Sequence, residues 1–397
     1  MKSNTKSQTA VIVIPTYKEA DIIGKTIEVL CTDTFPKIAK KEGNLIQDWQ
    51  MKILVVDGNS PDGTGKVVET QAKKFPNVFL LTETSKDGIG AAYYKGFKYA
   101  IDKLNADFVF EFDSDLQHPP STIPLMLAKV EQGYDHVIGS RKIAGGSNPK
   151  GWGFKRVFFS EVGGFTARFI MFFPFKNFFK VTDPTTGLKV TRVKGFIDRF
   201  DLTDFKHLYS RSFGYKLQLL FEILAMNAKF TEIPLQFNVR TAGESKIEPQ
   251  TAKEILRVAL TLRWHDSVTQ KFLKFGTVGF IGYLINASTL ALFSRLFNTE
   301  WLAWLLSTEL AIISNFTLNN IWTFKSDQIS GTGKTVSKFL QFNLSSAGAL
   351  LIQTIFGSLG VALLGAQYRQ LLLPFIILFL VLPYNWLMYN KFIWKKK

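Results

Sequence analysis

The acidic triplet Asp113-Ser114-Asp115 closes the short apolar run Asp107–Phe112 (DFVFEF). Two carboxylates at the carboxyl end of a buried strand project together and form a hard anionic donor pair. Mg²⁺ usually binds through one or two carboxylates together with phosphate oxygens. The pair therefore suits Mg²⁺ or Mn²⁺ shared with a diphosphate. A lone DxD triplet recurs by chance, but the preceding strand and the extension to DSDLQHPP make this one specific. Gln117 could add a contact to metal or phosphate, whereas His118 reads as a loop residue shaping the turn before Pro119-Pro120.

Two further strand ends carry polar chemistry. Pro15, Tyr17 and Glu19 lie in PTYKE, which follows the β-branched run Ala10–Pro15. An aromatic ring, a carboxylate and a turn can hold a nucleobase and ribose; a plain strand-to-helix turn with Glu19 near a helix N-terminus is the alternative. Asp57 ends the run Lys52–Asp57 and can accept hydrogen bonds from a base or ribose, and SPDGT then supplies turn residues and a helix start.

The elements that must position these residues alternate. Strands are expected at Ala10–Pro15, Lys52–Asp57, Val78–Leu81 and Asp107–Phe112, and helices at Glu19–Leu30, Val67–Phe75 and Gly90–Leu104. Such alternation implies right-handed crossovers and an open parallel sheet. Ligands of such sheets gather at the carboxyl ends of the strands, where PTYKE, DGNSPDGT and DSDLQHPP stand.

Composition narrows the partners. The 397 residues hold 48 Lys and Arg against 32 Asp and Glu, a net charge of +16, which points to an anionic partner. Nucleic acid is disfavoured because no recognition helix or RNA-binding signature is present. The single cysteine, Cys31, allows no intrachain disulfide. The opening MKSNTKSQTA lacks the apolar core of a signal peptide, so the first domain is expected in the cytoplasm.

The second half is a membrane sequence. Four segments, about 273–294, 301–321, 339–364 and 371–391, have the roughly 20 residues needed to cross a bilayer. Lys271 and Lys274 precede the first, Lys325, Lys334 and Lys338 separate the second and third, and Lys391 and Lys395–Lys397 follow the fourth, while the two opposite loops carry only Arg295 and Arg369. By the positive-inside rule both termini lie in the cytoplasm. Between Gly145 and Lys180, Phe158, Phe165, Phe169 and other phenylalanines alternate with Lys155, Arg156, Arg168 and Lys176. That mixture fits interfacial amphipathic helices; a buried aromatic core is the alternative.

Taken in order from Val11 to Lys246, PTYKE, VVDGNSPDGT, DSDLQHPP, GSR and RTAGESK resemble the dolichol-phosphate mannose synthase group of family 2 glycosyltransferases. The tail resembles the four-helix GtrA-type membrane domain through NFTLNNIWTF and YNKFIW. The resemblance implies an α/β GT-A (Rossmann-like) catalytic domain over residues 1–240, a linker and interface helix over 241–270, and an all-α domain of four transmembrane helices over 271–397. It also implies site roles. Pro15, Tyr17, Glu19, Asp57, Arg240 and Lys246 would bind the nucleotide-sugar, with Ser245 beside Lys246, and Asp113, Asp115 and Gln117 the metal. Arg141, Arg156 and Ser160 would hold a lipid phosphate, Trp152 and Asp183 would match further family segments, and Asp115 and Arg141 would carry catalysis. Two departures stand out. The family usually has a second aspartate where this chain has Gly58, and its GFR is Gly187-Leu188-Lys189, which keeps the charge but loses a bidentate fork.

The expected reaction is transfer of a hexose to polyprenyl or dolichyl phosphate by an integral membrane enzyme. Mannose from GDP-mannose is favoured, and a UDP-sugar donor (glucose, galactose or an N-acetylhexosamine) is the alternative. Processive polysaccharide synthesis is a weaker match, since Leu262-Arg263-Trp264 is only a fragment of the segment it needs. A non-catalytic lipid transporter or scaffold would fit Gly58 but not the intact Asp113 and Asp115.

Overall fold

A computed structural model describes residues 7–149, 151–174, 176–239, 249–297, 300–368, 372 and 375–394. The chain divides into two compact units, Met1–Arg263 and Trp264–Lys397.

The first unit is built on a seven-stranded sheet in the order β3-β2-β1-β4-β6-β5-β7. Its strands are β1 (Gln8–Thr16), β2 (Trp49–Asp57), β3 (Val78–Thr82), β4 (Phe108–Glu111), β5 (His136–Ser140), β6 (Lys189–Arg192) and β7 (Phe230–Pro234). Its helices are α1 (Ala20–Val29), α2 (Phe35–Ala39), α3 (Thr64–Lys74), α4 (Ile89–Leu104), α5 (Thr122–Glu131), α6 (Phe154–Phe172), α7 (Tyr215–Ala225) and α8 (Pro249–His265). Every strand and helix expected from the sequence in this unit is present, within about three residues at each end.

Period-2 geometry explains the continuous apolar runs of the central strands. Ala10, Ile12 and Ile14 of β1 pack with Ile53 and Val55 of β2 against Ile23, Ile27, Val68 and Met126 of α1, α3 and α5. Val11 and Val13, with Leu54 and Val56, face Tyr93, Phe97, Tyr215 and Leu219 of α4 and α7. A strand buried on both faces has no polar side.

The sheet is mixed rather than all parallel. β6 runs antiparallel to both β4 and β5, while β1, β2, β3 and β4 pair in parallel, as do β5 and β7. The reason lies in the connection. After Ser140 the chain re-enters the sheet from the carboxyl end, so that Lys189, the first residue of β6, opposes Ile138 of β5 and Glu111 at the end of β4.

The second unit is helical: α9 (Ser267–Leu296), α10 (Glu300–Leu318), α11 (Thr332–Leu364) and α12 (Leu382–Met388). Among the described residues one helix, Ser267–Phe293, is long and apolar enough to cross a membrane. The segments expected as the second and third spans overlap α10 and α11, and the fourth, which ends near α12, includes residues 371, 373 and 374, which lie outside the described ones. The two related tail motifs share one geometry: Asn319–Thr323 and Tyr389–Ile393 are both π-helical turns. They close through Phe324 N–H to Asn319 C=O and Trp394 N–H to Tyr389 C=O, each 2.8 Å. Their last rings stack, Phe324 on Trp394, with centroids 4.5 Å apart and planes 6° apart. Asn320 Oδ1 ties the junction by accepting from Trp394 Nε1 at 2.9 Å and Ile329 N–H at 2.8 Å.

Candidate active site

Three strand ends meet at one edge of the sheet, and each following loop contains one residue in the left-handed region: Lys18 (φ 56°), Asn59 (φ 55°) and Leu116 (φ 57°). A non-glycine residue there carries a conformational cost that the surrounding structure must offset, a pattern common in functional loops. These are the loops that hold PTYKE, DGNSPDGT and DSDLQHPP.

Asp57 is 2% exposed and its carboxylate is heavily engaged. Oδ1 accepts from Thr16 Oγ1 at 3.0 Å and Ser60 Oγ at 2.6 Å, and Oδ2 from Ser60 N–H at 2.9 Å. Asp57 thus fastens the first loop to the second. Pro15, Tyr17 and Glu19 are half-buried. Lys86 Nζ lies 4.0 Å from the centroid of the Tyr17 ring, in cation–π range. Glu19 directs its backbone N–H to Thr64 Oγ1 at 3.0 Å.

Asp113 and Asp115 follow β4 as expected. Asp115 is 3% exposed and its Oδ1 accepts from Gln117 N–H at 3.1 Å. Gln117 binds the segment after β7 instead of standing alone in its loop: its Nε2 donates to Asn238 C=O at 3.1 Å, and Asn238 N–H returns a 2.9 Å bond to Gln117 C=O. Thr26 Oγ1 donates to Ser114 C=O at 2.5 Å. His118 is buried, accepts from Asp113 N–H through Nδ1 at 3.3 Å and packs against Phe112 and Phe237. Burial lowers its pKa, which suits a neutral ring bracing the loop.

Among the described residues no group of three or more His, Cys, Asp or Glu converges as a metal cage. A pair of aspartates is nonetheless the donor set of an ion that completes its shell with phosphate oxygens and water, and Asp113 and Asp115 fit that description. Lys216 Nζ stands 3.9 Å from Asp113 Oδ1. A Cβ at Gly187 would lie 2.6 Å from Lys216 Nζ, 2.9 Å from His118 Cε1 and 3.0 Å from Asp113 Oδ2. Only glycine leaves room for this approach.

Arg141 begins the loop after β5. Nε donates to Asp183 Oδ2 at 2.7 Å and Nη2 to Asp183 Oδ1 at 2.8 Å, with Thr185 Oγ1 3.1 Å from Nη2. Burial opposes ionisation of Asp183, but the guanidinium outweighs it and holds the carboxyl below its ordinary range. Nη1 donates no hydrogen bond to any described residue. Asp183 is in turn held by Glu232, which accepts from its backbone N–H at 3.3 Å and from Thr182 N–H at 2.7 Å. Arg156 lies near the start of α6 and packs its guanidinium 4.1 Å from the Trp152 ring centroid. Ser160 sits one turn further along α6, half-buried. Arg240, Ser245 and Lys246 lie outside the described residues.

One residue the sequence reading passed over joins these parts. The ring of Phe237 is 5.2 Å from His118, 6.0 Å from Trp152 and 5.6 Å from the Arg141 guanidinium. It links the aspartate loop to the arginine segments, and nothing in its local sequence signals that. Lys189, the residue in place of the family's arginine, is fully buried beneath the site, 3.9 Å from Glu111 Oε1, while Tyr215 OH donates to Glu111 Oε2 at 2.8 Å.

The exposed face of α6 carries Phe154, Phe158, Val162, Phe165 and Phe169, followed by Phe173. Spacings of three and four residues place them in one stripe. The buried-core reading of these phenylalanines therefore fails for this face.

Comparison with known proteins places this geometry. Residues 11–200 match glycosyl transferase family 2, and residues 274–394 match the GtrA/DPMS transmembrane domain. A dolichol-phosphate mannosyltransferase of Pyrococcus furiosus is 29% identical over 87% of this chain and 88% of its own length. An undecaprenyl-phosphate mannosyltransferase of Micrococcus luteus is 30% identical over 64% of this chain and 94% of its own. A polyprenol monophosphomannose synthase of Mycolicibacterium smegmatis is 28% identical over 63% and 85%. With strand-end loops joined to a pinned arginine and relatives that align over as much as 87% of its length, the protein is a glycosyltransferase that belongs to glycosyltransferase family 2 and carries a GtrA/DPMS-type transmembrane domain after its catalytic one in the sequence.

Proposed function

We propose that the enzyme transfers a mannosyl residue from GDP-mannose to the phosphate of a polyprenyl or dolichyl phosphate at the cytoplasmic face of the membrane, with inversion at the anomeric carbon. The observation that carries this reading is the junction at Phe237, which sets the Asp113–His118 loop beside Arg141 and Trp152. The relatives' names, dolichol-phosphate and undecaprenyl-phosphate mannosyltransferase, supply the substrate class.

An acceptor phosphate monoester has a second pKa of about 6, so it arrives at neutral pH already ionised. Its attack needs positioning and charge neutralisation more than a general base. Arg141 supports this through Nη1, its other donors being engaged by Asp183 and Thr185, and Arg156 and Ser160 would complete the grip. Pro15, Tyr17, Glu19 and Asp57 would shape the nucleoside pocket, with Arg240 and Lys246 closing on the donor phosphates. Asp113 and Asp115, with Gln117, would hold Mg²⁺ or Mn²⁺. When bound, such an ion offsets the negative charge of a departing diphosphate.

A polyprenyl tail leaves the bilayer at a cost of about 0.8 kcal/mol per CH₂, so the catalytic unit must work at the membrane surface. Four spans, with both termini in the cytoplasm, would anchor it, and the α6 stripe of phenylalanines would lie in the interface.

The test is direct. Membranes holding the protein are incubated with labelled GDP-mannose or UDP-glucose, polyprenyl phosphate and Mg²⁺, and lipid is extracted. Label from GDP-mannose in an acid-labile glycolipid supports the reading. Label from UDP-glucose alone moves the donor to the UDP-sugar class, and no labelled lipid from any donor turns attention to a transporter or scaffold role.

A further inference from the structure

Gly58 stands where the family resemblance leads a second aspartate to be expected. Gly58 follows Asp57 at the end of β2, and a Cβ built there would meet Tyr17 Cδ2 at 3.5 Å and Glu83 Oε2 at 3.6 Å. Those are ordinary contacts, so a side chain would fit at 58. The carboxylate beside that space comes instead from Glu83, the first residue after β3. Its backbone N–H donates to Asp57 C=O at 2.8 Å, which fixes it against the second strand.

Glu83 has one oxygen to offer. Oε1 accepts from Lys95 Nζ at 2.6 Å, and Lys95 also binds Asp87 Oδ2 at 2.6 Å. Oε2 receives no hydrogen bond from any described residue, and the residue is 7% exposed. Asp57, by contrast, has both oxygens occupied by Thr16 and Ser60. With no donor among the described residues directed at it, that oxygen is open to a ligand that supplies one. The Tyr17 ring beside it is the surface on which a base would stack.

We infer that Glu83 replaces the absent carboxylate at position 58 and selects the donor's base, favouring guanine over uracil. This rests on the nucleotide-sugar reading above and refines it. A carboxylate is acceptor-only. Guanine presents two adjacent N–H donors, N1–H and N2–H, which can converge on the one open oxygen. Uracil presents one N–H flanked by two carbonyl oxygens, which a carboxylate repels. A site whose open acceptor faces N–H donors on one base and carbonyl oxygens on another discriminates between them.

The experiment is equilibrium binding of GDP and of UDP, each with Mg²⁺, to the full-length protein in detergent. The wild type should prefer GDP. Glu83→Gln should narrow the GDP-to-UDP affinity ratio by about tenfold or more, and adding Gly58→Asp to Glu83→Gln should restore part of the preference. Loss of affinity for both nucleotides in equal proportion would mean that Glu83 only braces Lys95, and the inference falls. An unchanged ratio overturns it equally, while the nucleotide-sugar reading survives. If the wild type binds neither nucleotide, that reading fails with it.

Discussion

Arg141 and Asp183 form a bidentate pair, with Nε to Oδ2 at 2.7 Å and Nη2 to Oδ1 at 2.8 Å, at side-chain exposures of 9% and 1%. The arginine that would meet an anionic acceptor is thus held in place before any ligand arrives. Asp183 balances its charge through Nε and Nη2, and one guanidinium nitrogen, Nη1, remains to offer.

Breaking that pair should cost more than a surface ion pair. Asp183→Asn leaves a buried guanidinium without its counter-charge, a change worth about 3–5 kcal/mol in comparable sites. Thermal unfolding of the purified protein should show a clear drop in midpoint, together with loss of transferase activity. A midpoint equal to wild type would contradict the role given to this pair.

The same pair sets an acid limb. Asp183 has a folded pKa below its ordinary 3.8. Its contribution is therefore fully present above the unfolded value and is lost as pH falls through the folded one. Between about pH 5 and pH 2, stability of the wild type should fall more steeply than that of Asp183→Asn. Denaturant midpoints measured across that range provide the comparison.

Asp115→Asn should reduce glycosyl transfer by at least about a hundredfold, the scale of losing a charge-stabilising ion, with little change in unfolding midpoint. Chelation with EDTA should abolish turnover of the wild type, and added Mg²⁺ or Mn²⁺ should restore it. Chelator-resistant turnover would remove the metal from the proposed mechanism.

Gly187→Ala places a methyl within 3.0 Å of Lys216 Nζ, His118 Cε1 and Asp113 Oδ2. Overpacking of this kind costs about 1–3 kcal/mol, but here the groups that must yield are those around the aspartate loop. Activity should fall by about tenfold or more while the protein still folds, which circular dichroism and kinetics together would reveal.

In the helical unit, Asn320→Ala removes the acceptor for both Trp394 Nε1 and Ile329 N–H. Each net hydrogen bond is worth about 1 kcal/mol, and a buried donor left unmet costs more. Trp394→Phe should be milder, since it keeps a six-membered ring against Phe324 while losing the donor and part of the indole's volume. Detergent thermal-shift midpoints should rank wild type above Trp394→Phe above Asn320→Ala.

How much of this was legible in the sequence follows from the range of the forces involved. β-Branched apolar runs buried on both faces read as parallel strands because β1 and β2 have no solvent side, and polar residues at their ends, Tyr17, Asp57 and Asp113, mark the edge where ligands gather. Positively charged residues flanking apolar segments are equally local signals. The direction of β6 was not legible, because four residues, Lys189–Arg192, carry no record of the side from which the chain re-enters the sheet. Nor could sequence separate a carboxylate that is open from one already satisfied. Asp57 is closed by Thr16 and Ser60, whereas Glu83, unmarked by any motif, turns an oxygen toward the space beside Gly58. Residues 57 and 83 meet only because β2 and β3 pair in register, with Asp57 opposite Thr82. Residue types and their order determined the chemistry available to this protein; packing across the sheet decided which of those groups are free to perform it, since hydrogen-bond satisfaction is set by neighbours distant in the chain.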